Sequence, residues 1–144
     1  MKEHNWYLCT ESRLEQQFSD HIAPFWQEHV TLGSFQGNGD ISVSYAYCIP
    51  EQAKHSVLIS SGRIESLLKY KEVIYELYHN GFAVFVLDHR GQGLSGRMTV
   101  NPHQGYIDDF QHYVDDICHF IDAVVSPHQR GPLNLLCHSM GSAI

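Results

Sequence analysis

LNLLCHSMGSAI, residues Leu133–Ile144, is an apolar run that meets one serine and then small residues. Its centre, Cys137-His138-Ser139-Met140-Gly141, approximates G-x-S-x-G, the pattern of a strand that turns abruptly into a helix with a serine at the apex. Such a turn strains the serine backbone and needs small residues two positions to either side. Gly141 meets that need. Cys137, small but not glycine, relaxes the match by one position. Ser139 is therefore the candidate nucleophile, its hydroxyl raised clear of a sheet with a helix N-terminus behind it. An ordinary strand-to-helix turn would give the same short pattern, so the chain before it decides the reading.

Working back from Leu133, buried strands and amphipathic helices alternate. Leu133 to Leu136 reads as a buried strand, following a long helix over Gly105 to Val125. That helix carries Phe110, Tyr113, Val114, Ile117, Phe120, Ile121 and Val124 on one face and is ended by Pro127 and Gly131-Pro132. Phe82 to Leu87 and Ser56 to Ser60 are continuous apolar runs, as strands covered on both faces should be. Ser66 to Asn80 between them is helical, closed by Gly81 as a C-terminal cap. Earlier still, His29 to Gln36 and Ile41 to Ile49 alternate in strand fashion around the hairpin turn Gly37-Asn38-Gly39-Asp40. Thr10 to His29 reads as a helix with Ser12 and Glu15 as a capping box. Its apolar face lacks the Lys/Arg flanks of a membrane-surface helix, so it is expected to pack on the sheet edge. A hairpin followed by strand–helix–strand–helix–strand predicts an α/β fold with a mostly parallel sheet and right-handed crossovers.

Two loops after strand ends carry the chemistry. Ser60-Ser61-Gly62-Arg63-Ile64-Glu65-Ser66 follows the first buried strand, where an enzyme with such an elbow takes one oxyanion-hole amide; the residue after the nucleophile supplies the other. The candidate donors are the backbone N–H groups of Arg63 and Met140. The second loop, DHRGQGLSGR (Asp88–Arg97), spells G-x-G-x-x-G through Gly91, Gly93 and Gly96. A dinucleotide fingerprint opens directly into a helix, whereas Met98 to Gln104 with Pro102 reads as loop, so no nucleotide site is expected. Asp88 and Arg90 are available to brace that loop. Asp108, Asp109, His112, Asp115, Asp116 and His119 on the long helix lack a recognised metal-ligand spacing. They read as a solvated face, so no metal site is expected.

With 144 residues, the chain is long enough for one domain with a real core, burying roughly 68–70% of its unfolded surface. A net charge of −7 without a Lys/Arg cluster excludes a nucleic-acid partner. The N-terminus lacks a signal-peptide core and no run reaches membrane-span length. Cys9, Cys48, Cys118 and Cys137 lack C-x-x-C spacing, three of them in apolar contexts that suit buried thiols. Free thiols on the cytoplasmic side are therefore expected.

Together, SSGRIESLLKY, LDHRGQGLSGR, the F-x-x-Y-V-D-D helix and the HSMG elbow resemble, in the same order, the bacterial lysophospholipases of the L-two type within the monoacylglycerol-lipase-like serine hydrolases. The resemblance runs from about Trp6 to Ile144 and implies the N-terminal half of an α/β-hydrolase fold. It makes residues 1–28 a helical extension and 29–144 an incomplete hydrolase domain, truncated just after the elbow. It further implies hydrolysis of a fatty-acyl ester of a lysophospholipid, or of a monoacylglycerol, through a Ser139 acyl-enzyme, without a cofactor and with peripheral inner-membrane contact. In that fold the triad runs Ser, Asp or Glu, then His. Only five residues follow Ser139, so the triad partners are absent and the chain as it stands is expected to be inactive. It would carry an open apolar strand edge, and the alternatives are a non-catalytic lipid- or protein-binding remnant or another lipase or esterase, monoacylglycerol-lipase-like, of the same fold.

Overall fold

The computed structural model describes residues 5–144, so the first four residues of the expected N-terminal extension lie outside the described ones. Its centre is a five-stranded mixed sheet in the order β1-β2-β4-β3-β5. The strands are β1 (Thr31–Gln36), β2 (Ser42–Cys48), β3 (His55–Ser60), β4 (Phe82–Leu87) and β5 (Leu133–Cys137). β1 and β2 form the expected antiparallel hairpin, and β2 also runs antiparallel to β4. The other three strands are parallel, β3 lying between β4 and β5. The fold is thus α/β, with a parallel half and an antiparallel half.

The period-2 alternation of strand side chains sorts the core into two layers. Val57, Ile59, Val84 and Val86 face one way and meet Ile22, Phe25, Trp26, Leu67, Ile74 and Tyr75. Leu58, Ala83, Phe85 and Leu87 face the other and meet Ile117, Phe120, Val124 and Val125. Burial of the Val, Leu and Phe side chains contributes roughly 1.5–3 kcal/mol each.

Several local expectations are revised. The N-terminal helical run over residues 11–29 covers a face of the sheet beside the second helix, not its edge. The Ser12–Glu15 capping box does not form; instead the Arg13 amide donates to the Thr10 carbonyl at 2.9 Å. The second helix matches its reading, with Ser66 accepting from the Leu68 amide and Gly81 following at φ +84°, a backbone glycine adopts without a Cβ clash. The third helix begins at Gln111, not Gly105, because the Asp109 carboxylate caps the Gln111 amide at 2.9 Å. It continues through a π-turn (Ile121–Val125) past Pro127 to His128.

β5 is not buried. It pairs only with β3 among the described residues, leaving Leu135 and Leu136 61% and 44% exposed, the open apolar edge expected for this strand. Only Cys48 is a buried thiol; Cys118 and Cys137 are exposed and Cys9 is intermediate. No helix among the described residues is long and apolar enough to cross a membrane.

Candidate active site

The C-terminal ends of β3 and β5 lie side by side, Ser60 paired with Cys137. There the chain turns. The His138 amide donates to the Ser60 carbonyl at 3.0 Å, and a 3₁₀ turn (Ser139–Ser142) begins at once. Ser139 sits at the apex, exposed, at φ +51°. A left-handed backbone at a non-glycine residue costs on the order of 1–3 kcal/mol and persists only when the surroundings impose it. Gly141 shows why they do: a Cβ there would run into the carbonyl carbon and oxygen of Ser60. The strained elbow is therefore present, with a 3₁₀ turn behind it instead of an α-helix. No described residue hydrogen-bonds the Ser139 hydroxyl.

The loop after β3 packs directly against this elbow, since a Cβ on Gly62 would come within 2.8 Å of His138 Nδ1. Its amides are used unevenly. Gly62 N–H donates to Glu65 Oε2 at 2.7 Å and Ile64 N–H to Gln92 Oε1 at 3.1 Å. Across the elbow, Gly141 N–H donates to the His138 carbonyl. The N–H groups of Arg63, between two occupied neighbours, and of Met140, next to the occupied Gly141, have no partner among the described residues. They are the two amides that the sequence singled out.

Three side chains hold this arrangement. Glu65 accepts from the Gly62 amide, the Tyr70 hydroxyl at 2.5 Å and Lys69, and pairs with His138 Nδ1 at 3.2 Å. Burial raises its pKa, but those partners outweigh burial and hold it at about 2. Gln92 donates to the Gly62 and Glu65 carbonyls at 2.9 and 3.1 Å, clamping one loop to the other. Asp88 accepts from the amides of Leu67 (2.5 Å) and Leu94 (2.7 Å) and from Ser66, bracing the glycine loop as expected. Burial pushes its carboxyl up against those hydrogen bonds.

Arg90 braces a different element. It forms a two-pronged ion pair with Asp116, 2.7 Å on each arm, both side chains buried, and donates to the Asn38 carbonyl. Asp116 therefore leaves the solvated face assigned to it, because at i+3 from Tyr113 and i−4 from Phe120 it falls on the apolar stripe. His89 is buried too, its Nε2 3.3 Å from the Ser60 hydroxyl and its Nδ1 unpartnered among the described residues. Burial lowers its pKa to about 4.

Replacing Glu65 tests the brace. A carboxylate with a depressed folded pKa adds stability that is complete above its unfolded pKa, near 4.5, and lost as pH falls toward about 2. Glu65→Gln is expected to cost roughly 1–3 kcal/mol at pH 7, the scale of hydrogen bonds to a charged group. The difference from wild type should shrink between pH 4.5 and 2. Urea unfolding across that range measures it, and a constant difference would refute the brace.

The doubly covered sheet, with a strained serine where a strand passes into a turn, defines the α/β-hydrolase class. A family model described as "Serine aminopeptidase, S33" (Hydrolase_4) matches residues 51–144, and the chain belongs to that family. It is 41% identical to lysophospholipase L2 of Escherichia coli (strain K12) over 85% of its own length and 36% of that protein's. It is 38% identical to a probable lysophospholipase L2 of Haemophilus influenzae over 85% of its length and 39% of the relative's. Among solved structures, a thermostable carboxyl esterase from Bacillus coagulans superposes at a TM-score of 0.69 and 24% identity, over 79% of this chain and 37% of that one. The chain thus spans a little over a third of the length of the curated relatives it matches.

Proposed function

We propose that this chain carries the nucleophile and oxyanion hole of a carboxylic ester hydrolase that cleaves the fatty-acyl ester of a lysophospholipid. The observation behind this reading is the pair of unpartnered amides, Arg63 in the loop that packs against the elbow and Met140 next to the strained Ser139. Ser139 Oγ attacks the acyl carbonyl, whose oxygen becomes an oxyanion held by the two N–H groups. Collapse breaks the ester C–O bond, the lysophospholipid's alcohol leaves, and water hydrolyses the acyl-enzyme to free fatty acid. Losing one such donor costs about 2.7–4 kcal/mol in a studied serine protease. A lipid substrate also calls for peripheral contact with a membrane surface.

Proton transfer needs a base that the described residues do not present at Ser139. His138 is engaged by Glu65 and His89 lies beneath the elbow. By itself this stretch is therefore expected to show only the weak catalysis that binding and an oxyanion hole give. The test is a chimera in which residues 1–144 replace the matching segment of the E. coli relative. A folded chimera should release fatty acid from lysophosphatidylcholine and lysophosphatidylethanolamine. A folded chimera that releases none would overturn the assignment.

A further inference from the structure

We infer that the cleft beside the Arg63 loop is a subsite for a phosphate ester, the headgroup end of a glycerophospholipid-type ligand. The cleft has a volume of about 300 Å³ and is lined by Arg63, Glu65, Arg97, His103, Tyr106 and Tyr113, among others. Its charge is unusual in a chain of net charge −7. Neither guanidinium pairs with a carboxylate among the described residues. Arg63 donates only to the Gly105 carbonyl at 3.2 Å. Arg97 donates to the carbonyls of Pro102 at 2.9 Å, Gly93 at 3.0 Å and Ser95, which fix its plane and leave two of its five N–H donors unused.

The neighbouring carboxylates are already engaged. Glu65 accepts from Gly62, Lys69 and Tyr70 and pairs with His138. Asp88 accepts from the Leu67 and Leu94 amides and the Ser66 hydroxyl, and Asp116 is taken by Arg90. Two cations therefore face the cleft without a counter-charge in contact. The hydroxyls of Tyr106 and Tyr113 make no hydrogen bond among the described residues and add two more donors at its wall.

Forked guanidinium donors with hydroxyls beside them match the tetrahedral, acceptor-only oxygens of a phosphate. A neutral glycerol headgroup would leave both cations unmatched. The placement rests on the ester-hydrolase reading: the Arg63 amide faces the acyl carbonyl, and its side chain reaches the cleft that takes the phosphate one glycerol unit away.

Isothermal titration calorimetry on the 144-residue chain tests this with sn-glycerol 3-phosphate, sn-glycero-3-phosphocholine, glycerol and inorganic phosphate. Both phosphate esters should bind and glycerol should not. Arg63→Gln, at an exposed side chain with one hydrogen bond, should weaken the esters by about ten-fold or more, as loss of a charge-assisted contact does, with the melting temperature unchanged. Arg97→Lys, which keeps the charge but loses the fork, should weaken them as well. Equal affinity in both variants, or equal binding of glycerol, would overturn the subsite. Inorganic phosphate binding as tightly as the esters would overturn its assignment to a headgroup and give it to free phosphate. Failure of the ester-hydrolase reading is seen separately, as a Ser139 that takes no serine-directed phosphonate in the folded chimera whatever the calorimetry gives.

Discussion

Ser139→Ala in the chimera with the E. coli relative should lower kcat for lysophosphatidylcholine by about 10⁴–10⁶. The upper figure is the loss on removing a serine nucleophile from a studied protease, and the residue of activity is what an oxyanion hole and binding supply. Folding should be unaffected, because the Ser139 side chain is exposed and its hydroxyl has no hydrogen-bond partner among the described residues. Ser139→Gly should lose activity equally yet gain roughly 1 kcal/mol of stability, since glycine adopts φ +51° without a Cβ clash. Steady-state kinetics and thermal melting on the same samples separate the two effects. A Ser139→Ala chimera within ten-fold of the parent's kcat would rule out this serine as the nucleophile.

Asp116→Ala should be the most damaging single exchange for the fold. It leaves the Arg90 guanidinium, 1% exposed, without its counter-charge. Removing one partner of a buried pair typically costs about 3–5 kcal/mol, against a total stability of about 5–15 kcal/mol for a domain. The pair also seals the hairpin turn, since a Cβ on Gly37 would come within 2.5 Å of Asp116 Oδ1 and 2.8 Å of Arg90 Nη2. Replacing both partners, Arg90→Met with Asp116→Leu, should recover much of the loss, because an apolar pair needs no counter-charge. Denaturant unfolding of the single and double variants measures this. A single variant within about 1 kcal/mol of wild type would contradict it.

The parallel strands and the hairpin were legible because their signals are local. Phe82–Leu87 is apolar at every position, and Gly37-Asn38-Gly39-Asp40 permits little but a turn. The elbow was legible through Gly141, whose lack of a Cβ is a steric demand of the fold. What misled was context. Asp109 moved the third helix start by capping Gln111, and β5 kept apolar side chains at a position where, among the described residues, one strand alone pairs with it. Gln92 was missed because its partners lie in another loop, Gly62 being 30 residues away in sequence. Glu65 finds Gly62, Lys69 and Tyr70 close by in sequence, but the contact that ties it to the elbow is with His138, 73 residues away. Asp116 carried a readable signal, a carboxylate at stripe spacing between Tyr113 and Phe120, but its partner Arg90 is 26 residues away.

The most direct measurement is a crystal structure of the chimera inhibited with a long-chain fluorophosphonate. The account predicts phosphorus bonded to Ser139 Oγ and the phosphoryl oxygen within about 2.7–3.1 Å of both the Arg63 and Met140 nitrogens, the range of an oxyanion-hole contact. An adduct on another residue, or a phosphoryl oxygen turned away from both amides, would contradict it.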